Sequence, residues 1–258
     1  MLRRLKEHAL SLRGSIIRAV IFALAWAIFP FWLFLLVALY LFFVPFSQIK
    51  SVIVPFLVLL VLTALQAPGF YAAAIFGLVF WYILLIKEFY IVDRKSAYEI
   101  LLLALTYLLF RIFYMKMGGG IGAGAVFAAL FVAIAVGVLF SSFVKIFGGE
   151  EEKIERGDIK MDVAPVLVGG INARRKLLRQ VTSFAVFLVV FELLITGLFL
   201  PLDFVYQSSL IFILAALFVE FSNKHLFAAK LSRQRVLIVL SGAFVLLVII
   251  LGLARWGI

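Results

Sequence analysis

One long hydrophilic stretch, residues 148–176, divides a chain that is otherwise almost continuously apolar. With 66% hydrophobic and 14% charged residues, the 258-residue chain has too little polar surface to cover a soluble domain. A helix of about 20 apolar residues crosses the hydrocarbon core of a bilayer. The sequence therefore predicts an all-α, polytopic transmembrane helix bundle, and the lipid bilayer is its first expected partner.

The apolar runs predict eight or nine membrane passes, built largely from hairpins. One run, Ala19–Phe46, is too long for a single straight pass and short for two. Pro30 interrupts it, so this run is either one tilted pass or a hairpin that turns at Pro30. The other candidate spans are clear from their length and flanking turn residues: Ser51–Gln66, Phe70–Ile86, Ile100–Tyr114, Ile121–Val144, Leu178–Leu200, Phe204–Phe221 and Val236–Ala254.

Basic residues predict which side of the membrane each connection faces. The net charge of +11 comes from short clusters at the ends of apolar runs, which is typical of membrane topology rather than of nucleic-acid binding. Eight Lys/Arg lie from Lys145 to Arg179, both included, so residues 148–176 are expected to form a cytoplasmic loop. A hairpin at Pro30 places 21 of the 24 Lys/Arg on that same side, against 16 for a single tilted pass. The positive-inside rule thus favours the hairpin.

The expected organisation follows from this topology. Residues 1–147 form N-terminal membrane helices, 148–176 the cytoplasmic loop and 177–258 C-terminal membrane helices, all within one membrane domain. The expected location is a cell membrane, specifically an inner membrane. The chain has no cysteine and only two histidines, His8 and His225, which excludes disulfides, thiolate catalysis and Cys-ligated metals. We expect no cofactor and no metal.

Two ionisable residues lie well inside predicted spans. Charged side chains are costly in hydrocarbon and are functional candidates by default. If both spans run from inside to outside, Arg111 and Glu192 lie at depths that agree to about one helical turn. We predict an intramembrane charged pair between them. The alternative is that Arg111 extends to the outer interface while Glu192 is protonated and binds a proton or cation.

Small residues recur at steps of three and four along the span that begins at Ile121. They are Gly122, Ala125, Ala129, Ala133, Gly137 and Ser141. Small side chains let membrane helices approach closely, where van der Waals contact drives association. This face is interpreted as a helix-packing surface, with a substrate-lining face or an oligomer contact as alternatives.

A short motif pair suggests an enzyme as a weaker alternative. Glu151 and Glu152 precede Arg156 in the pattern Glu-Glu-x-x-x-Arg, and Phe221 precedes His225 in the pattern Phe-x-x-x-His. Together they resemble the first two motifs of the CAAX-protease and bacteriocin-processing family of intramembrane proteases. The resemblance implies intramembrane proteolysis at Glu151, Glu152 and His225, but the third motif of that family, His-x-x-x-Asn, is absent because no further histidine follows.

Three function classes remain open at this stage. A small-solute or ion transporter is the first expectation, because a charged pair at mid-depth is typical of transport proteins. A non-catalytic subunit or scaffold of a larger membrane complex is the alternative, with a membrane protein or a second copy as partner. An intramembrane protease is the third.

Overall fold

The described parts of the chain are helical almost throughout. A computed structural model describes residues 2–44, 49–88, 94–117, 122–158, 165–226 and 233–254, with side chains described for 12–44, 52–88, 94–117, 122–147, 177–178, 180–222 and 240–254. Within these residues the elements are nine α-helices: α1 (Leu2–Ile28), α2 (Phe31–Phe43), α3 (Ile49–Leu65), α4 (Phe70–Lys87), α5 (Arg94–Met117), α6 (Ala123–Asp158), α7 (Pro165–Leu198), α8 (Phe204–Leu226) and α9 (Arg233–Leu253). The predicted all-α class is confirmed.

Five helical segments of the described chain are long and apolar enough to cross a membrane. They are Phe70–Lys87, Arg94–Met117, Ala123–Phe147, Gln180–Leu198 and Phe204–Ser222. Three apolar helical segments are shorter: Phe31–Phe43, Val52–Leu65 and Leu240–Leu253. This set is compatible with an integral membrane protein, while the count of eight or nine passes stays a prediction.

The first apolar run is a helical hairpin that turns at Pro30. Proline lacks a backbone N–H and its ring clashes with the preceding turn, so it is favoured at helix ends and disfavoured in the interior of a helix. Here α1 ends at Ile28, and α2 starts directly after Pro30. Arg18 Nη1, before the turn, donates to the Val44 carbonyl after it at 3.1 Å. The two helices are therefore antiparallel, as the positive-inside argument favours.

Residue contacts divide the chain inside α5 rather than at the hydrophilic stretch. The first unit covers Met1–Leu105 and the second Thr106–Ile258. In the first unit α4 is central, because it packs against both α1 and α3, and α2 lies against α1 and α3. In the second unit α7 is central, since it packs against both α6 and α8, and α9 packs on α8.

Aromatic rings fill the core of the first unit. Phe22 of α1 stacks on Phe80 of α4, with ring centroids 4.2 Å apart, and meets the edge of Phe34 of α2. Gly77 allows the close approach of α1 and α4, since a Cβ there would lie 3.0 Å from the Cβ of Ala23. The indole N–H of Trp26 donates to the Thr63 carbonyl at 3.0 Å, which joins α1 to α3.

The second unit packs around small residues on α6 and α7. Gly137 of α6 lies against Phe187 of α7, where an added Cβ would be 3.3 Å from the phenylalanine Cβ. Gly197, near the end of α7, leaves room for Tyr114 of α5 and Ile211 of α8. The Tyr114 hydroxyl donates to the Leu194 carbonyl at 3.0 Å, so α5 and α7 meet at this level.

The hydrophilic stretch, treated above as a loop, is largely helical. Helix α6 continues past its apolar part to Asp158, and α7 begins at Pro165, well before its apolar part. Glu, Lys and Arg are good helix formers, and proline is favoured at the first position of a helix. The length of an apolar run shows only which part of a helix can lie in a bilayer. The sequence pattern therefore did not predict the polar continuations of α6 and α7. We call residues 148–158 and 165–179 the α6–α7 extension.

Candidate functional site

Four polar side chains meet at one end of the first unit. Ser15 and Arg18 come from α1, and Lys87 and Glu88 from the end of α4. One carboxylate oxygen of Glu88 lies 2.5 Å from Arg18 Nη2, and the other accepts a hydrogen bond from the Ser15 hydroxyl at 2.8 Å. We call these four residues the charged cluster. Both oxygens of its carboxylate therefore face a polar partner.

The two cations of the charged cluster satisfy the C-terminal end of α2. Lys87 Nζ donates to the Phe42 carbonyl, and Arg18 Nη1 donates to the Val44 carbonyl. The last carbonyls of a helix lack partners within the helix and carry the negative end of its dipole, so cations are favoured there. The Lys87 ammonium also lies 4.9 Å from the centre of the Phe42 ring, within range of a cation–π interaction.

This arrangement explains how a lysine can be fully enclosed. The side chain of Lys87 has no exposed surface, and Glu88 has only 7%. A buried charge is costly unless it is paired and hydrogen-bonded. Each ionised group of the charged cluster meets an oxygen or an opposite charge, so the cluster acts as a structural clamp that joins α1, α2 and α4.

The charged cluster is not predicted by the sequence alone. From the sequence, Arg18 and Lys87 are only basic residues that set topology. The available signal was the adjacent pair of opposite charges, Lys87 and Glu88, at the end of an apolar span. That signal does not reveal burial, because burial depends on which helices pack over the end of α4.

Arg111 and Glu192 lie on exposed faces in the second unit. Within the described residues no ion pair joins them. The buried side of α7 carries Val190, Leu194 and Gly197, whereas Glu192 lies on the other side of that helix. At about 100° per residue, Glu192 is about 200° around the helix from Leu194. A pair within one chain therefore has no support from this geometry and stays a prediction.

The small-residue face of α6 is mostly covered. Ala125, Ala129 and Ala133 are buried, Gly137 faces Phe187 of α7, and Ser141 is partly exposed. Gly122 lies just before α6 and is exposed. The pattern is that of a packing surface that begins at Ala125, and the packing role itself stays a prediction.

The residues of the protease resemblance lie on two different helices. Glu151 and Glu152 are on the α6 part of the α6–α7 extension, beyond the apolar segment that ends at Phe147, and His225 is near the end of α8. Their side chains lie outside the described residues. The position of Glu151 and Glu152 beyond the apolar segment differs from the membrane-embedded motif that the resemblance implies.

An apolar groove lies on the first unit between α4 and α5. It has a volume of about 250 Å³ and is lined mainly by aliphatic side chains with Trp81 and Tyr82. The indole N–H of Trp81 is buried and has no hydrogen-bond partner among the described residues. Such a lining suits contact with lipid tails rather than passage of a polar solute.

Comparison of the chain with protein-family models, with curated protein sequences and with solved structures found no match.

Proposed function

We propose that this integral membrane protein is a non-catalytic subunit or scaffold that presents the α6–α7 extension to a partner at the membrane surface. The observation that carries the proposal is the length of the two central helices. Helix α6 has 36 residues and α7 has 34, which correspond to about 54 Å and 51 Å. The hydrocarbon core is about 30 Å thick, so both helices are long enough to extend well beyond it.

The extension is also the most highly charged part of the chain. Its α6 part carries five acidic and two basic residues, and its α7 part carries four basic and no acidic residues. Opposite charge on two antiparallel helices favours their association outside the membrane. A paired helical projection offers a rigid surface, which suits docking better than a flexible connection does.

The proposed side of the extension is cytoplasmic. The support is the positive-inside rule, because Lys145, Arg174, Arg175, Lys176 and Arg179 lie close to the ends of the apolar parts of α6 and α7. We therefore expect the extension to bind a cytoplasmic partner.

Site-specific photo-crosslinking in cells tests this function. A photoreactive amino acid replaces Lys153, Arg156 or Arg174 in the full chain, and the matched control replaces Phe244 on an exposed face of α9. We expect the extension positions to give a crosslinked product of one discrete mass, and the control to give none. In the same cells, replacing residues 149–175 by a short Gly/Ser linker should cause the same growth defect as loss of the whole protein.

Two outcomes would contradict the scaffold function. One is that all extension positions crosslink only to lipid or to the chain itself. The other is that the linker variant is inserted normally and supports normal growth.

Transport of a small solute or ion ranks below the scaffold function. A transport path needs polar groups that face an interior route, whereas Arg111 and Glu192 are on exposed faces and the charges of the first unit are engaged in the charged cluster. Solute flux into vesicles that contain only the purified protein would reverse this ranking.

Proteolysis ranks third. It would need Glu151 and Glu152 to act beside His225 within the membrane, and the apolar part of α6 ends before either glutamate.

A further inference from the structure

Arg111 and Glu192 are the two charges of the second unit that lie well inside apolar helices and also face outward. Arg111 is six residues before the end of α5, and Glu192 is six residues before the end of α7. Both are exposed, and their exposed neighbours Met115 and Leu188 are apolar. A charge that faces lipid at this depth costs several kcal/mol. Each residue therefore favours a partner of opposite charge outside its own chain.

The structure brings the two residues to the same level. The Tyr114 hydroxyl bonds the Leu194 carbonyl, which fixes the height of α5 against α7. Arg111 lies three residues before Tyr114, about 4.5 Å, and Glu192 lies two residues before Leu194, about 3 Å. If α5 and α7 run in the same direction, as the alternating topology requires, the two depths agree to within about one helical turn.

Equal depth has a direct consequence for assembly. Copies of a membrane protein insert in one orientation, so any axis that relates them runs along the membrane normal. Rotation about such an axis leaves depth unchanged. Arg111 of one copy can then meet Glu192 of another, whereas no ion pair joins these two described residues within one chain.

We propose that two copies of this chain associate in the membrane through Arg111 of one copy and Glu192 of the other. In an isologous dimer each contact occurs twice, so both arginines and both glutamates are paired. The apolar side chains around them, Phe184 and Leu188 on α7 and Met115 on α5, supply the surrounding contact. The neutralised pairs leave no isolated charge in hydrocarbon at this face.

Cysteine crosslinking tests the contact directly, because the natural chain contains no cysteine. Two differently tagged full-length chains, one with Arg111→Cys and one with Glu192→Cys, are co-expressed and oxidised in membranes. We expect a product that carries both tags. In a dimer of these chains the second Arg111–Glu192 pair is intact, so the interface is retained.

The matched control uses an exposed side chain near the same end of a different helix. Phe127 lies four residues after the start of α6 and is 71% exposed. A chain with Phe127→Cys, co-expressed with Glu192→Cys, should give no doubly tagged product. Equal crosslinking of both combinations would show random collision and overturn the proposal.

Charge reversal separates pairing between chains from pairing within a chain. Arg111→Glu alone and Glu192→Arg alone should each weaken self-association about tenfold, because each homodimer then brings like charges together. Co-expression of the two variants should restore association, since both contacts of the mixed dimer are again opposite in charge. A pair within one chain predicts no restoration, because each chain keeps its own like charges.

The proposal fails if the doubly tagged product is missing although both chains are inserted. It also fails if mixed variants associate no better than each variant alone. A product in which one tagged chain is crosslinked to a different protein would show that another membrane protein, rather than a second copy of this chain, contacts this face.

Discussion

At the scale of single residues, the clearest result is that two cations of the first unit are used to complete a helix end. Arg18 and Lys87 donate to the carbonyls of Val44 and Phe42, and Glu88 balances part of their charge. Helix α2 has only 13 residues, so the unpaired carbonyls of its last turn are a large fraction of its backbone groups. The charged cluster therefore stabilises the shortest helix of its unit.

Lys87→Met tests this role. Methionine has a similar length and no charge, so the substitution keeps most of the packing and removes the donor to the Phe42 carbonyl. A buried acceptor that loses its donor costs about 1–3 kcal/mol, partly offset because the buried ammonium is also removed. We expect a net loss of about 1 kcal/mol of unfolding free energy, measured by titration with a denaturing detergent.

Lys116→Met is the control for that measurement, because Lys116 is an exposed lysine near the end of α5. Its stability should match that of the natural chain. If Lys87→Met were instead more stable than the natural chain, the enclosed ammonium would cost more than its hydrogen bond and ring contact contribute.

The residue scale also shows where reasoning from sequence ends. Depth along a helix follows from residue counting, and the equal depths of Arg111 and Glu192 stay a prediction. Rotation about the helix axis depends on which neighbours the helix has. Glu192 faces away from the buried side of α7, and that could not be read from spacing in one helix alone.

At the scale of helices, close packing in the second unit depends on glycine at two contact points. Gly197 faces Tyr114 and Ile211, and Gly137 faces Phe187. In a membrane, helices gain little from the hydrophobic effect, so short contact distances contribute much of their association. The sequence indicated Gly137 through its small-residue spacing, while Gly197 stands alone near the end of α7 and gave no such signal.

Gly197→Ala should therefore be strongly destabilising. An added methyl group would lie 2.8 Å from Ile211 Cγ1 and would overlap the Tyr114 hydroxyl. Overpacking of this kind costs about 1–3 kcal/mol. Gly137→Ala should cost less, because its nearest contact would be at 3.3 Å.

Gly252→Ala is the matched control, since a Cβ there meets nothing within 4 Å. Alanine is the better helix former, so this variant should be equal to or slightly more stable than the natural chain. Thermal unfolding in detergent is measured by tryptophan fluorescence. The melting temperature should be highest for Gly252→Ala, lower for Gly137→Ala and lowest for Gly197→Ala. Equal melting temperatures for all three would mean that these glycines are not needed for packing.

The limits of sequence reasoning at this scale have a physical cause. Pro30 was recognised as a helix breaker, and the hairpin that it allows is present. The helical continuation of α6 to Asp158 was missed because charged residues that form good helices also form good loops. Hydropathy separates membrane from water, but it does not separate helix from loop in the aqueous part.

At the scale of the whole molecule, the features that can serve an assembly lie in the second unit. The charged cluster lies at one end of the first unit, and each of its two cations has a hydrogen-bond or ion-pair partner. The second unit has outward-facing charges on the apolar parts of α5 and α7, and the α6–α7 extension lies beyond the apolar parts of α6 and α7. An assembly role uses both features of the second unit, because a dimer through Arg111 and Glu192 would bring two extensions to one side of the membrane.

The membrane topology expected for the chain gives the broadest prediction. Single cysteines in the natural Cys-free chain report sidedness by their reaction with a membrane-impermeant maleimide. The hairpin at Pro30 places Arg18 and Val44 at one end of the first unit and Phe29 at the opposite end. Gly69, in the next turn, lies at the same end as Phe29.

We expect Phe29→Cys, Gly69→Cys and Asp203→Cys to react in intact cells. Arg156→Cys should react only after the membrane is opened, because the positive-inside rule predicts a cytoplasmic location for the extension. Reaction of Arg156→Cys in intact cells would show that the extension lies outside the cell. The extension could then not bind a cytoplasmic partner. Protection of Phe29→Cys with reaction of Gly69→Cys would show instead that the Pro30 hairpin enters the membrane without crossing it, since its second arm, α2, is about 20 Å long and shorter than the hydrocarbon core.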